Sequence, residues 1–401
     1  MATLWVGMAL GVVGVVLIAA LRGWVGSARA RDDTPRDASI NRNAGRYLLG
    51  FASGCALTVL SCIAVIEALA RVAPDYLPPP AISNHISFDE KLLFLRQNPQ
   101  LQPRILGIGS STAMRSLDGS AFQENDEAPP SFLNAGIAGG QMNQIRYVSG
   151  FYLDLFRKID VLLQLAVPPD FTDCTHTEGV FFDREDGRDF ASGRMSMVGA
   201  YLKYFNPHEL IPAAMHIAAD RKNWAEDTRL RLYMDAFGSM PMQVPADTVQ
   251  RRHEELYSSV SLLDSRCFEE LRAWSRETAE KGIRLYVVIP PISPYFLRSV
   301  QGAEDQIETF VARLRESLRG EPAILIDARQ VVRLGEGDFA DAYHLQWTAA
   351  QRLSLEIAGV IQRDMRQTSL EPVPEQSELE APALGSLQTF GSGSQGSEPP
   401  L

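Results

Sequence analysis

Cysteine is scarce in this sequence. Four residues in 401 (Cys55, Cys62, Cys174 and Cys267) supply neither a disulfide framework nor a C-x-x-C pair with zinc spacing, which argues against a small stapled scaffold and a thiolate metal centre. Runs of Lys and Arg are missing too, and 38 Lys+Arg against 49 Asp+Glu leave a net charge of −11. Such a surface repels phosphate backbones, so no nucleic-acid partner is expected. Internal repeats of solenoid length are absent. What remains is a chain that is 45% hydrophobic and 22% charged. At roughly 150 residues per domain it is long enough for one large domain with appendages, or two domains.

Charge is also missing from two stretches near the amino end. Met1–Leu21 carries no charged side chain, and Tyr47–Ile66 runs uncharged to Glu67. Each approaches the ~20 residues that an α-helix needs to cross ~30 Å of hydrocarbon. Two membrane helices, 1–21 and 47–70, are therefore expected. Ala28-Arg29-Ala30 also suits a signal-peptidase site, but no basic residue precedes the first apolar run as a signal sequence normally requires. Arg22, Arg29, Arg31, Arg36, Arg42 and Arg46 crowd the connector 22–46, and only Arg71 closely follows the second run. The positive-inside bias then keeps the connector cytoplasmic and turns the domain after Arg71 outward, to the periplasm or cell exterior. In an oxidising space Cys174 and Cys267 could pair. Cys55 and Cys62, seven apart on one face of the second helix, are expected to be apolar packing residues.

Pro74, Asp75 and Pro78-Pro79-Pro80 predict an extended linker over 71–85, with the domain beginning near Ile86. After Arg366 the composition shifts to Ser, Gly, Pro, Gln and Glu, which predicts a disordered tail over 367–401. Between these limits lie compact apolar runs at Arg104–Ile108, Phe132–Leu133, Val161–Val167, Arg284–Ile289 and Ala323–Ile326. They read as buried parallel strands. Gln141–Phe156, Cys267–Lys281, Glu304–Leu318 and Trp347–Arg363 carry helical spacing. Strand and helix in alternation predict a doubly wound α/β/α domain whose site lies beyond the carboxyl ends of the strands. The stretch 174–264 breaks the rhythm and reads as a helical insertion covering part of the site.

Three segments could carry chemistry. Ile105-Leu106-Gly107-Ile108-Gly109-Ser110-Ser111-Thr112 runs a strand into a turn that presents a hydroxyl at a helix start, where backbone N–H groups could hold an oxyanion. Simple helix capping accounts for the same residue types. Phe339-Ala340-Asp341-Ala342-Tyr343-His344-Leu345 places an aspartate three residues before a histidine, as needed to fix a catalytic imidazole, and an exposed loop histidine reads equally well. Leu133-Asn134-Ala135-Gly136-Ile137-Ala138-Gly139-Gly140-Gln141 is a glycine turn that lets backbone approach a ligand, or a plain strand-to-helix turn. It lacks the G-x-G-x-x-G spacing, and no cofactor is implied. Cys174, His176 and Glu178 are close in sequence but have no second ligand cluster, so no metal is expected. Tyr343 and Trp347 could line an acyl or sugar pocket, or pack.

Taken in order, Ser after the first strand, N-x-G-x-x-G after the second and D-x-x-H before the last helix resemble the SGNH (GDSL-type) hydrolase superfamily over about residues 100–365. The Gly-Ser-Ser turn is similar to its membrane-anchored branch, linked with O-acylation of cell-envelope polysaccharides. The resemblance implies a three-layer α/β/α sandwich of SGNH/flavodoxin-like type. It makes Ser111 the nucleophile, His344 the base and Asp341 its orienting partner. Gly139, with the Ser111 N–H, would supply oxyanion donors, and Asn134 belongs to the same binding block. It also implies an acylated glycan as substrate and a membrane acyltransferase as a possible partner. One block departs: where members show Gly-x-Asn-Asp after the third strand, this chain has Pro168-Pro169-Asp170-Phe171. An anionic Asp170 would repel an oxyanion, so it is expected to bind substrate hydroxyls or end the strand. An esterase or O-acyltransferase is the leading expectation, and a non-catalytic envelope protein that binds glycan or docks on an acyltransferase is the alternative.

Overall fold

The structure is a computed structural model that describes residues 36–72, 77–83, 85–123, 131–175, 179–206, 215, 234–244 and 262–370. The first apolar run, His176, Glu178, most of the insertion and the tail from 371 lie outside the described residues. Two compact units are distinguished, Met1–Ala358 and Gly359–Leu401, the second represented by the end of the terminal helix.

The described chain begins with helix α1 (Arg36–Val72), followed by α2 (Ile86–Gln97). Then come β1 (Ile105–Gly109), α3 (Ser111–Ser116), β2 (Phe132–Asn134), α4 (Met142–Leu155) and β3 (Val161–Leu165). Helices α5 (Arg184–Ala191), α6 (Met197–Lys203) and α7 (Ser265–Glu280) precede β4 (Arg284–Ile289). Next are α8 (Pro294–Ser299), α9 (Ala303–Ser317), β5 (Ile324–Asp327) and α10 (Trp347–Leu370). The five strands form one parallel sheet in the order β2-β1-β3-β4-β5. Every residue of β2 and β3 is buried, the pattern of strands covered on both faces. This is an α/β fold with helices around a parallel sheet, consistent with a three-layer sandwich.

Helical spacing in the sequence becomes packing here. Ile145, Val148, Phe151 and Tyr152 of α4, Phe268, Leu271 and Trp274 of α7, and Ile307, Phe310 and Leu314 of α9 share one core with Leu106, Leu162 and Val287 of the sheet. Near the opposite side of β1, Gly107 leaves room for Phe132 and Leu117, both of which a Cβ there would strike within 3.0 Å. The Asp118 N–H donates to Ser354 Oγ of α10 at 2.8 Å, tying the chain after α3 to the terminal helix.

Three features differ from expectation. The linker does not extend to residue 85: Leu77 and Ile82 belong to the core, and Pro78–Pro80 between them are buried. Proline has no N–H to leave unsatisfied, so such a segment enters a core at lower cost. The terminal helix continues past Arg366 to Leu370, because extending an existing helix costs far less than starting one. Cys55 is a free thiol on the exposed surface of α1, not a packing residue within the described chain.

Helix α1 is long and apolar enough over Arg46–Val72, with mean hydropathy 2.2, to cross a membrane. Leu48, Leu49, Phe51, Leu57 and Leu60 are exposed on it. The Thr58 hydroxyl donates to Gly54 O at 2.9 Å, and Glu67 is paired with Arg71 at 2.6 Å.

Cys174 and Cys267 form a disulfide with Cα atoms 5.3 Å apart, closing a loop of sequence separation 93. Asp264 reinforces the closure: Oδ1 accepts from Arg266 N at the start of α7, and Oδ2 accepts from Cys174 N and Thr175 Oγ1. Both ends of the insertion are therefore held beside the turn after β3. Breaking the bond in Cys174→Ser should lower unfolding free energy by roughly 4–5 kcal/mol in the chain-entropy limit for a loop of this length. Urea midpoints with and without reductant test this, and a wild-type midpoint indifferent to reductant would exclude the tie.

Candidate active site

The carboxyl end of β1 is closed against β3. Gly109 has φ +144°, a backbone conformation that disfavours side chains, and a Cβ there would lie 2.8 Å from Leu165 O and 2.9 Å from Ala113 Cβ. This glycine lets the chain turn from strand into α3 while pressed on its neighbour. Ser110 precedes the helix but makes no side-chain capping bond, so capping does not explain it. Ser111 is the first helical residue and is half-buried.

His344 meets it from the other end of the chain. The bridge between Phe339 and Leu345, and the Ala340 N–H donating to His344 O at 2.8 Å, fold residues 339–345 into a tight loop before α10. Ser293 N donates to Ala342 O at 3.0 Å, fastening the loop to the exit of β4. At its tip Asp341 Oδ1 accepts from the Tyr343 and His344 N–H groups at 3.0 and 2.9 Å. Asp341 Oδ2 lies 2.7 Å from His344 Nδ1, and His344 Nε2 lies 2.8 Å from Ser111 Oγ. The carboxylate fixes the tautomer that carries the proton on Nδ1, leaving Nε2 to accept the serine proton.

Burial alone would raise the Asp341 carboxyl. The charge of a protonated His344 and the hydrogen bonds from its ring and backbone outweigh it, holding Asp341 down to about 2. Asp341 is 1% exposed, yet these bonds keep the partner of the imidazole ionised wherever the chain is folded near neutrality. Tyr343 is buried against Phe296, with ring centroids 5.5 Å apart, and burial followed by the nearby carboxylates pushes its phenol upward.

The glycine turn is built from β2. Ala135 N donates to Gly107 O at 2.6 Å and Ile137 N to Gly109 O at 3.0 Å, so the backbone after Asn134 continues along β1 toward the serine. Gly136 has no room for a side chain, since a Cβ would meet Met114 N at 2.5 Å. Gly139, with φ +65°, is exposed and has open space around it. Asn134 is enclosed. Its Nδ2 donates to Ala113 O and Ser239 Oγ, and its Oδ1 accepts from Gly136 N. This amide binds the turn to α3 and is not free to receive a ligand.

Asp170 differs most from the sequence expectation. It lies in the turn Pro168–Phe171 after β3 and has no exposed surface, so it is not placed to bind substrate hydroxyls. The Ser110 hydroxyl bonds its carboxyl, and the Val167 N–H reaches Oδ2 at 3.4 Å, while Oδ1 is buried without a hydrogen-bond partner. Burial dominates and pushes Asp170 up to about 8, against the smaller opposing effects of Ser110 and Val167. At neutral pH the side chain is uncharged, which removes the premise that it would repel an oxyanion.

Several supporting residues have no motif. Gln346 Oε1 accepts from Val244 N, and its Nε2 donates back to Val244 O. Lys91 donates to Asn134 O at 2.7 Å and also bonds Gly238 O, although burial lowers its ammonium to about 7 against the pull of Asp235 and Glu90. One signal was available for Lys91: it falls on the inward stripe Phe88, Leu92, Leu95 of α2. Gln346 gave none.

The raised Asp170 carboxyl has a stability consequence. The folded chain keeps this proton up to about 8, whereas the unfolded chain releases it near pH 4, so Asp170 lowers stability progressively as pH rises between those values. Asp170→Asn should lose that slope, so the wild type should fall relative to it by up to about 1.4 kcal/mol per pH unit. Urea midpoints from pH 5 to 8 measure the difference; a constant difference would mean that Asp170 is already ionised in the fold.

No protein-family model matches the chain, and no curated protein does.

Proposed function

We propose that this chain is a membrane-anchored, outward-facing serine esterase or O-acyltransferase that works on acylated cell-envelope polysaccharide through an acyl-enzyme. The observation that carries the reading is the continuous contact from Ser111 Oγ to His344 Nε2 at 2.8 Å and from His344 Nδ1 to Asp341 Oδ2 at 2.7 Å. Residues 233 apart in sequence are brought to hydrogen-bond distance at the carboxyl edge of a parallel sheet, the place where such sheets bind ligands. The strand order and the helices around the sheet support an SGNH/flavodoxin-like sandwich as the finer fold.

The reaction follows from the geometry. Ser111 Oγ attacks the ester carbonyl carbon as its proton passes to His344 Nε2. The carbonyl electron pair moves onto oxygen, for which the family resemblance assigns the backbone N–H groups of Ser111 and Gly139 as donors. Collapse expels the alcohol, which takes the proton from His344. Water then gives hydrolysis and a sugar hydroxyl gives transfer, and the substrate class rests on the family resemblance. An outward domain agrees with the disulfide, since such bonds persist in oxidising compartments, and with the arginine-rich connector before the second helix. Two membrane helices remain part of this reading. A second reading, a glycan-binding or acyltransferase-docking protein without turnover, draws on the enclosure of both Asn134 and Asp170.

A fluorophosphonate probe should label the detergent-solubilised chain. Ser111→Ala should abolish labelling, Asp341→Asn should slow it by roughly 10³-fold or more, and Ser120→Ala on the surface should leave it unchanged. A folded wild type that does not label would remove the enzyme reading in favour of the second. Protease added to intact spheroplasts should digest the domain after Leu77; protection would place it in the cytoplasm.

A further inference from the structure

The last turns of α1 are not free of the domain. Ile66, Leu69 and Ala70 are half-buried and pack on the core to which Met197, Ala200 and Tyr201 of α6 belong, and α1 and α6 touch directly. Tyr201 also donates to Pro78 O. The portion of α1 left for lipid is then Arg46–Val65, whose 20 residues span about 30 Å, the thickness of the hydrocarbon. Helix α6 is thereby set at the level where α1 leaves the bilayer. The chain from Val72 to Leu77 allows little departure, since five residues reach at most about 17 Å.

At the carboxyl end of α6 two large apolar side chains stand exposed, with the exposed Lys203 between them in sequence. Leu202 is 58% exposed and Phe205, two residues past the helix, is 70% exposed. Between them Lys203 and Tyr204 both bond Asp186 of α5, so their polar tips turn to the protein side. An aliphatic and an aromatic side chain, flanked by a tyrosine and a lysine with satisfied tips, have the composition of an interfacial membrane anchor.

We propose that the Leu202–Phe205 edge of α6 embeds in the lipid interface of the bilayer that α1 crosses, giving the domain a second, monotopic contact. This rests on the membrane-spanning reading of α1. Two contacts fix rotation as well as distance, so the serine site would have a set height and direction above the membrane.

The test uses the full chain in phosphatidylcholine–phosphatidylglycerol vesicles, with Cys55→Ser and Cys62→Ser removing background thiols. Nitroxides are attached one at a time at Leu60→Cys in α1, Leu202→Cys, Phe205→Cys and Glu316→Cys on α9. Collision with oxygen is compared with collision with a water-soluble nickel chelate. Positions 202 and 205 should favour oxygen severalfold over position 316 and resemble position 60. If position 60 reads as lipid and positions 202 and 205 read as aqueous, the interfacial contact is excluded while α1 still spans. If position 60 also reads as aqueous, the spanning reading fails and the contact with it.

Discussion

The site depends on how closely β1 approaches β3 at Gly109. That residue has φ +144° and no space for a Cβ, so the strand ends pressed on Leu165 and turns at once into α3. Ser111 is therefore carried by a sheet-bound turn, a more rigid mount than an exposed loop. Asn134 and Gly136 rest on the same α3 backbone, so the glycine turn and the serine turn share one support. A side chain at position 109 would displace both together.

The histidine arm is held by different means. Its loop has no extended strand, yet the Phe339–Leu345 bridge, the Ser293 bond and the bonds to Asp341 Oδ1 remove its freedom. The two carboxyls near the serine are placed in opposite electrostatic states. Asp341 is buried with donors and stays ionised; Asp170 is buried with few and stays neutral. Environment sets these states, because residue type is the same in both.

Much of the fold was legible because buried parallel strands are short apolar runs and helices keep a 3.6-residue stripe. All five strand runs and the four long domain helices recur with ends at most two residues from those expected, except that the terminal helix runs seven residues further, to Leu370. The contact of Ser111, His344 and Asp341 was legible only from order and resemblance, as neither Gly-Ser-Ser nor Asp-x-x-His carries enough information by itself. The state of Asp170 was not legible: protonation follows burial and neighbours, and a short motif encodes neither. For the same reason Asn134 read as a ligand group, whereas its bonds to Ala113 and Ser239 come from segments that local sequence does not bring together. The buried prolines at 78–80 were misread because a run of prolines suggests a linker, and only Leu77 and Ile82 beside them indicate a core.

The disulfide connects these features to location. It lies between the turn carrying Asp170 and the start of α7, and Asp264 bonds the same corner. Phe171 packs on Phe268 and Phe310 at centroid distances of 4.8 and 5.1 Å, so the turn is gripped by an aromatic core on one side and a covalent closure on the other. A neutral carboxyl held this way can keep its proton, because water and counter-charges do not reach it without opening the corner. A reducing compartment would weaken that closure and loosen the wall of the serine site. An oxidising one keeps it shut, so the redox state of the compartment becomes a condition for the electrostatics of the site.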